Sequence, residues 1–275
     1  LLLPNPLSDF PKGPNAGTCL HKIIERFNFQ EINNLDYLNQ LIKEELTSFG
    51  FDELYTNNIK EVLKRIIYSS LGEVFNNQRL IDVTKSNIIK EFKFDLPISF
   101  EGKIITANDL SKCFLLNKDI EFGKDYSIKV KELNIFSRGF HSGCIDCLVK
   151  IKGKDNKSKW WIIDWKSNFI TNDNDIESLP RNYNYANLRE EMIKHHYPLQ
   201  SHLYLLAVHR LLKWRLKNYN PKEDLGGYIY MFIRGLTSVD KDRILDNFSF
   251  KPGIFYSQTP LKRIMYLDKL FSNEI

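Results

Sequence analysis

The sequence predicts an α/β fold, a mixed central sheet flanked by helices. Three observations carry that expectation. Residues 139–168 read as two long strands around a polar turn. Short alternating runs on either side of that hairpin in the chain supply further strands. Long stretches before and after it place apolar residues at helical spacing. With 275 residues, 43% of them hydrophobic, the chain can bury one large core with a helical annex.

Residues 1–16 hold four prolines and few periodic apolar positions, which reads as a linker or docking arm ahead of a domain over 17–275. Gly17-Thr18 opens a helix to about Phe29, with Leu20, Ile23, Ile24 and Phe27 on one face. Residues 31–75 read as a helical insertion broken at Ser48-Phe49-Gly50, with Leu38, Leu41, Ile42 and Leu46 before the break and Ile59, Val62, Leu63, Ile66 and Ile67 after it. Alternation at Glu91 to Ile98 predicts a strand, and 99–138 is expected to hold more strand. After the hairpin, 170–190 reads as a polar loop. A long helix over Leu199–Lys217 has Leu203, Leu206, Ala207, Arg210 and Leu211 on its expected core side. Gly226-Gly227 leads into a strand from Tyr228 to Ile233, and the tail from Lys251 to Phe271 shows a turn at Pro252-Gly253 and a short helix.

Composition narrows the class. The net charge of +5 is compatible with nucleic acid. No apolar run reaches the ~18 residues of a membrane span, and a cytoplasmic location is expected. Cys19, Cys113, Cys144 and Cys147 form no disulfide framework, and the C-x-x-C at 144–147 lacks a second Cys or His pair for a metal knuckle. No G-x-x-x-x-G-K-[ST] is present, so ATP is not expected on this chain. The chain starts with Leu-Leu-Leu-Pro rather than Met, which points to a piece of a longer protein.

The hairpin carries the chemistry. Its turn is centred near residue 155, and Asp146 and Asp164 stand nine residues either side. A symmetric register would put the two carboxylates opposite one another, with backbones within about 5.5 Å. Lys166 shares the face of Asp164 because side chains alternate along a strand. Two carboxylates repel unless a cation lies between them. Asp164 ends a run, Trp160-Trp161-Ile162-Ile163, that reads as buried on both faces, where a charge is costly unless it is used. Asp146…Asp164-Trp165-Lys166 resembles the PD-(D/E)xK nuclease pattern. Its hard oxygens suit Mg²⁺, and its lysine can orient water or balance negative charge.

Other positions admit two readings. His21 is either a hydrogen-bonded boundary histidine or a third ligand, with Glu25 one turn on able to hold its other nitrogen. Gln200 and Tyr204 share a helix face, either as a polar edge or as groups for a phosphate, a water or the lysine. Glu91 is either an exposed strand residue or an acid near the metal. Arg210 and Lys213, within the basic run His209 to Lys217, are either dipole-favoured helix ends or phosphate contacts. Arg181, Tyr183 and Tyr185 either pack their loop or meet single-stranded bases.

Six segments in register carry a resemblance: F-P-K-G-P-N-A-G-T-C-L-H-K-I-I-E, E-F-K-F-D-L-P-I, G-F-H-S-G-C-I-D, I-I-D-W-K-S-N, Y-P-L-Q-S-H-L-Y-L-L-A-V-H-R and G-G-Y-I-Y-M-F-I-R-G. Together they resemble the C-terminal nuclease domain of the RecB subunit of the RecBCD helicase–nuclease, exodeoxyribonuclease V, over nearly the whole chain. The resemblance implies a restriction-endonuclease-like core. It implies Mg²⁺ held by His21, Asp146, Asp164 and the main-chain carbonyl of Trp165. Lys166 would be the catalytic lysine, Gln200 and Tyr204 the Q-x-x-x-Y motif, and Glu91 an acidic position near the site. No Cys follows Cys147, which argues against the related branch with an iron–sulfur cluster. The implied partners are DNA, RecC, RecD and RecA, with a helicase upstream and double-strand break processing as the role. Two rivals remain: a stand-alone restriction or junction endonuclease, and a non-enzymatic DNA-binding or recombinase-loading module.

Overall fold

The computed structural model of the chain describes residues 5–98, 104–116, 121–137, 139–171, 178–237 and 251–274. Its strands are β1 (Ile88–Ile98), β2 (Ile105–Thr106), β3 (Phe136–Ser137), β4 (Gly139–Lys152), β5 (Ser158–Lys166), β6 (Leu225–Phe232) and β7 (Ile254–Gln258). Five of them form one mixed sheet in the order β1-β4-β5-β6-β7, and β2 pairs with β3 apart from it. Pairing is antiparallel from β1 to β5, parallel between β5 and β6, and antiparallel again to β7. The parallel pair requires a long crossover, which the helical stretch between β5 and β6 provides. The hairpin has the expected register, from Lys152 opposite Ser158 to Cys147 opposite Ile163, centred on residue 155.

Helices cover both faces, as the fold class predicts. On one side lie α1 (Pro14–Arg26), α2 (Leu35–Ser48) and α3 (Thr56–Tyr68). They bury Ile23, Leu41 and Ile66 against Val149, Ile163 and Met231. On the other lie α4 (Ala107–Cys113), α5 (Lys124–Lys131), α6 (Tyr185–Lys194), α7 (Tyr197–Arg215) and α9 (Leu261–Phe271), with α8 (Pro221–Asp224) short at the sheet's end. There Leu205, Leu206 and Ile264 pack on Leu148, Ile162 and Tyr228. Full burial of one such side chain is worth about 1.5–3 kcal/mol. Double coverage explains why the central strands are apolar on both faces, including every residue of β6. Among the described residues no helix is long and apolar enough to cross a membrane.

Several elements differ from the sequence expectation. Helix α1 starts at Pro14, because Gly13 takes φ 103 and Pro14 fits the first helical turn. The arm expected over 1–16 is described from residue 5; residues 1–4 lie outside the described residues. There it packs on the body: Leu7 and Phe10 are buried, and Asn5 Nδ2 donates to the carbonyls of Ile233 and Leu236. Within 99–138, where more strand was expected, the described residues contain the two-residue β2 and β3 but also α4 and α5. Residues 99–103, 117–120 and 138 lie outside the description. Thr106 and Asp109 form a capping box at α4, a local signal for helix. The loop expected over 170–190, of which 172–177 is not described, passes into α6, capped by Asn184 accepting from Asn187 N–H. Helix α7 is buried nearly all round, so its core is not confined to the stripe expected at Leu203, Leu206, Ala207, Arg210 and Leu211.

Candidate active site

The hairpin ladder stops at Cys147 and Ile163, one step short of the two aspartates. At that step the Asp146 side chain replaces a ladder bond: its Oδ2 accepts the Trp165 N–H at 2.8 Å. Asp164 points from β5 toward the α7 side and is 2% exposed. Lys166 follows on the same face, its Nζ 2.5 Å from Asp164 Oδ1. That contact is ionic rather than a directed hydrogen bond, for Asp164 Oδ1 is one of few buried polar atoms with no hydrogen-bond partner among the described residues. Burial pushes the Asp164 carboxyl up to about 6, against the opposing pull of Lys166 and with the help of Asp146. Lys166 titrates above its ordinary value: burial works to lower it, but Asp164, with Tyr197 and Asp146 adding to it, outweighs burial.

His21 reaches this pair from α1. Its Nδ1 lies 3.5 Å from Asp146 Oδ2. Its pKa is raised; burial opposes protonation, but the Asp146 contact and the charges of Asp146 and Asp164 favour it more. Two features seat the helix. A Cβ on Gly17 would stand 3.0 Å from Ser167 Oγ, so glycine lets α1 approach the end of β5 closely. At the other end Lys90 Nζ donates to the carbonyls of Ile24 and Phe27 and so ties α1 to β1. Glu25, expected as a holder of His21, instead pairs with Lys22 at 2.7 Å, the geometry of an i, i+3 surface pair.

Helix α7 and β6 complete the surroundings. Gln200 Oε1 lies 3.4 Å from Lys166 Nζ and accepts the Tyr230 O–H at 2.9 Å. Gln200 Nε2 donates to Tyr204 Oη at 3.0 Å. The Lys166 ammonium stands 4.2 Å from the centre of the Tyr197 ring and 5.3 Å from that of Tyr230. Tyr197 and Tyr230 were not singled out in the sequence. Tyr230 carried a usable signal, since Tyr228, Tyr230 and Phe232 alternate onto one face of β6.

Glu91 sits where β1 kinks. Its neighbours pair Lys90 with Cys147 and Phe92 with Ile145, which puts Glu91 at the ladder position of Asp146. Its φ is 50, a left-handed conformation uncommon for a side-chain-bearing residue. Alternation breaks at that level: Leu148 and Ile145 both join the α7-side core although three residues apart. Glu91 Oε2 accepts from Cys144 Sγ at 3.2 Å.

The remaining residues suggested for DNA contact scatter. Tyr183 is buried, its hydroxyl donating to the Asn168 carbonyl at 2.9 Å, so it holds the loop rather than meeting bases. Tyr185 stacks on Phe255 at 5.5 Å. Arg210 pairs with Asp268 at 2.7 Å, so its charge is partly balanced within the protein. Arg181 and Lys213 are exposed. The four cysteines are free thiols.

Two carboxylates, an imidazole and a buried ammonium thus meet at one end of the sheet. Among the described residues no three His, Cys, Asp or Glu side chains stand close enough together to hold a metal ion. The donor types nevertheless suit a hard divalent cation: the Asp146 and Asp164 carboxylates offer oxygen and His21 offers an imidazole nitrogen.

No family model matches the chain. It is 31% identical over 262 residues to the RecBCD enzyme subunit RecB of Buchnera aphidicola subsp. Baizongia pistaciae, an alignment that covers 95% of this chain and 19% of that protein. The RecB subunit of Haemophilus influenzae is 27% identical over 265 residues, covering 96% of this chain and 19% of its own length. That of Escherichia coli K12 is 26% identical over 263 residues, with 96% and 19% covered. The chain therefore belongs with the RecB subunits of the RecBCD enzyme, of whose length it spans about a fifth in these relatives.

Proposed function

We propose that this chain is the nuclease segment of a RecB-type subunit and hydrolyses phosphodiester bonds of DNA with Mg²⁺. The observation that carries the reading is Asp164: a buried carboxylate, ion-paired with the Lys166 ammonium and set beside Asp146 and His21. Asp146, Asp164 and His21 would hold the ion, with the Trp165 carbonyl as a fourth donor. When bound, the ion would acidify a water and offset charge gathering on the phosphate. The chain's own groups do the rest. Asp164 keeps Lys166 protonated, so its ammonium can steer the attacking water or balance a phosphoryl oxygen. Tyr230 fixes Gln200, and Gln200 fixes Lys166, which limits the positions that the ammonium can take. Glu91 stands at the rim as an accessory acid. The substrate is DNA, chiefly single strands, during double-strand break processing. The chain would work in the cytoplasm beside RecC and RecD, with RecA as a further partner.

Calorimetric Mg²⁺ titration and strand cleavage, measured on the same variants, separate the roles. Lys166→Ala is expected to keep ion affinity within about twofold while cleavage falls at least 10²-fold. Asp146→Ala is expected to lose both. Unchanged affinity in Asp146→Ala would remove it as a ligand.

A further inference from the structure

The end of the domain away from the acidic pair has its own chemistry. Two cavities of about 510 and 550 Å³ meet there, sharing Pro221, Lys222 and Leu261 in their walls. Together they make a trough from the β4–β5 turn past α8 and along α9. Its charged lining is Lys154, Lys157, Lys159, Lys222, Lys262 and Lys269 against Asp155. Lys154 pairs with Glu73 and Lys157 with Glu223, each at 2.5 Å. Lysines outnumber carboxylates along the trough even when both glutamates are counted. The Lys159 ammonium donates to the Lys222 carbonyl at 2.7 Å, which brings these two lysines together.

The chain segment that leads into the trough adds a second observation. Trp214 is 74% exposed, and the Arg215 guanidinium lies 4.2 Å from its ring centre. Every residue from Lys213 to Asn218 is exposed, and the chain then enters the trough wall at Asn220. An indole with a stacked guanidinium, set among further cations, is the combination that receives unstacked bases.

We propose that this trough binds the phosphate backbone of a single nucleic-acid strand, at a place separate from the acidic cluster. Strand β5 runs from Ser158 beside the trough to Lys166 in the cluster, so the two are roughly 25 Å apart. A polymer of regularly spaced charges suits lysines spread along an open trough, and Trp214 favours a strand with free bases over an acidic peptide. The inference does not rest on cleavage: the trough would hold a strand even if the cluster proved inert.

Fluorescence anisotropy of a labelled single-stranded oligonucleotide, titrated with the whole chain in EDTA, tests it. Lys222→Glu/Lys262→Glu/Lys269→Glu is expected to weaken binding at least tenfold and to lower the slope of log Kd against log salt by about 2. Glutamine at the same three positions should act in the same direction more mildly, and far-ultraviolet circular dichroism should show both variants folded. Lys64→Glu, an exposed lysine outside the trough, should leave affinity unchanged. An unaltered affinity and slope in both triple variants would overturn the proposal. Competition by polyglutamate as effective as by unlabelled oligonucleotide would also overturn it, in favour of an acidic protein.

Discussion

Replacing Asp164 by Asn should make the protein relatively more stable as pH rises. The Asp164 carboxyl is 2% exposed and titrates at about 6 instead of its ordinary 3.8. The folded state therefore holds this proton more tightly than the unfolded chain. The resulting stability is present below about pH 4 and is lost as pH climbs through about 6. Full ionisation corresponds to about 3 kcal/mol, most of which falls between roughly pH 4 and pH 7.5. Asn cannot ionise, so Asp164→Asn escapes that loss. Lys166 is deprived of its partner in the variant at both pH values, and that cost cancels in the difference. Urea denaturation in EDTA at about pH 4 and about pH 7.5, for both proteins, gives the quantity directly. The variant should gain about 2–3 kcal/mol on the wild type between the two conditions, or roughly 5–10 °C in melting temperature. A gap that stays constant within about 0.5 kcal/mol would show that Asp164 ionises as a solvated carboxylate, and the burial argument would fail.

Two other substitutions test supporting contacts. Tyr230→Phe removes the hydroxyl that holds Gln200; cleavage should fall roughly tenfold while Mg²⁺ affinity by calorimetry stays the same. Arg234 is buried and donates to the carbonyls of Leu7, Phe10, Pro11 and Ser167, joining the N-terminal arm to the residue after Lys166. Arg234→Met should cost at least about 3 kcal/mol by urea titration, because several carbonyls lose a charged donor inside the protein. A loss under about 1 kcal/mol would mean that water replaces the guanidinium.

The site was more legible than the layers around it. Strand alternation and a symmetric turn suffice to place Asp146 and Asp164 at one level and Lys166 on the same face, because a hairpin fixes its register locally. The helix face of Gln200 and Tyr204 is equally local. What meets that face is not. Tyr230 reaches Lys166 only once β6 lies parallel to β5, a pairing set across the crossover, and Tyr197 only once α7 packs beside them. Strand β7 was missed because five residues after a Pro-Gly turn carry too little alternation to outweigh a loop. Glu25 misled because helical spacing puts it as near to His21 as to Lys22, and the stronger charge pairing lay with Lys22. Tyr183 misled for another reason: an aromatic residue in sequence carries no mark of the Asn168 carbonyl that occupies it.

Cleavage of end-labelled single-stranded DNA by the wild type and by Asp164→Asn, each in Mg²⁺ and in EDTA, bears most directly on the central claim. The account requires cutting by the wild type in Mg²⁺, none in EDTA, and a loss of at least 10²-fold in the variant. Cutting that persists in EDTA, or that survives Asp164→Asn undiminished, would place the chemistry elsewhere and contradict it.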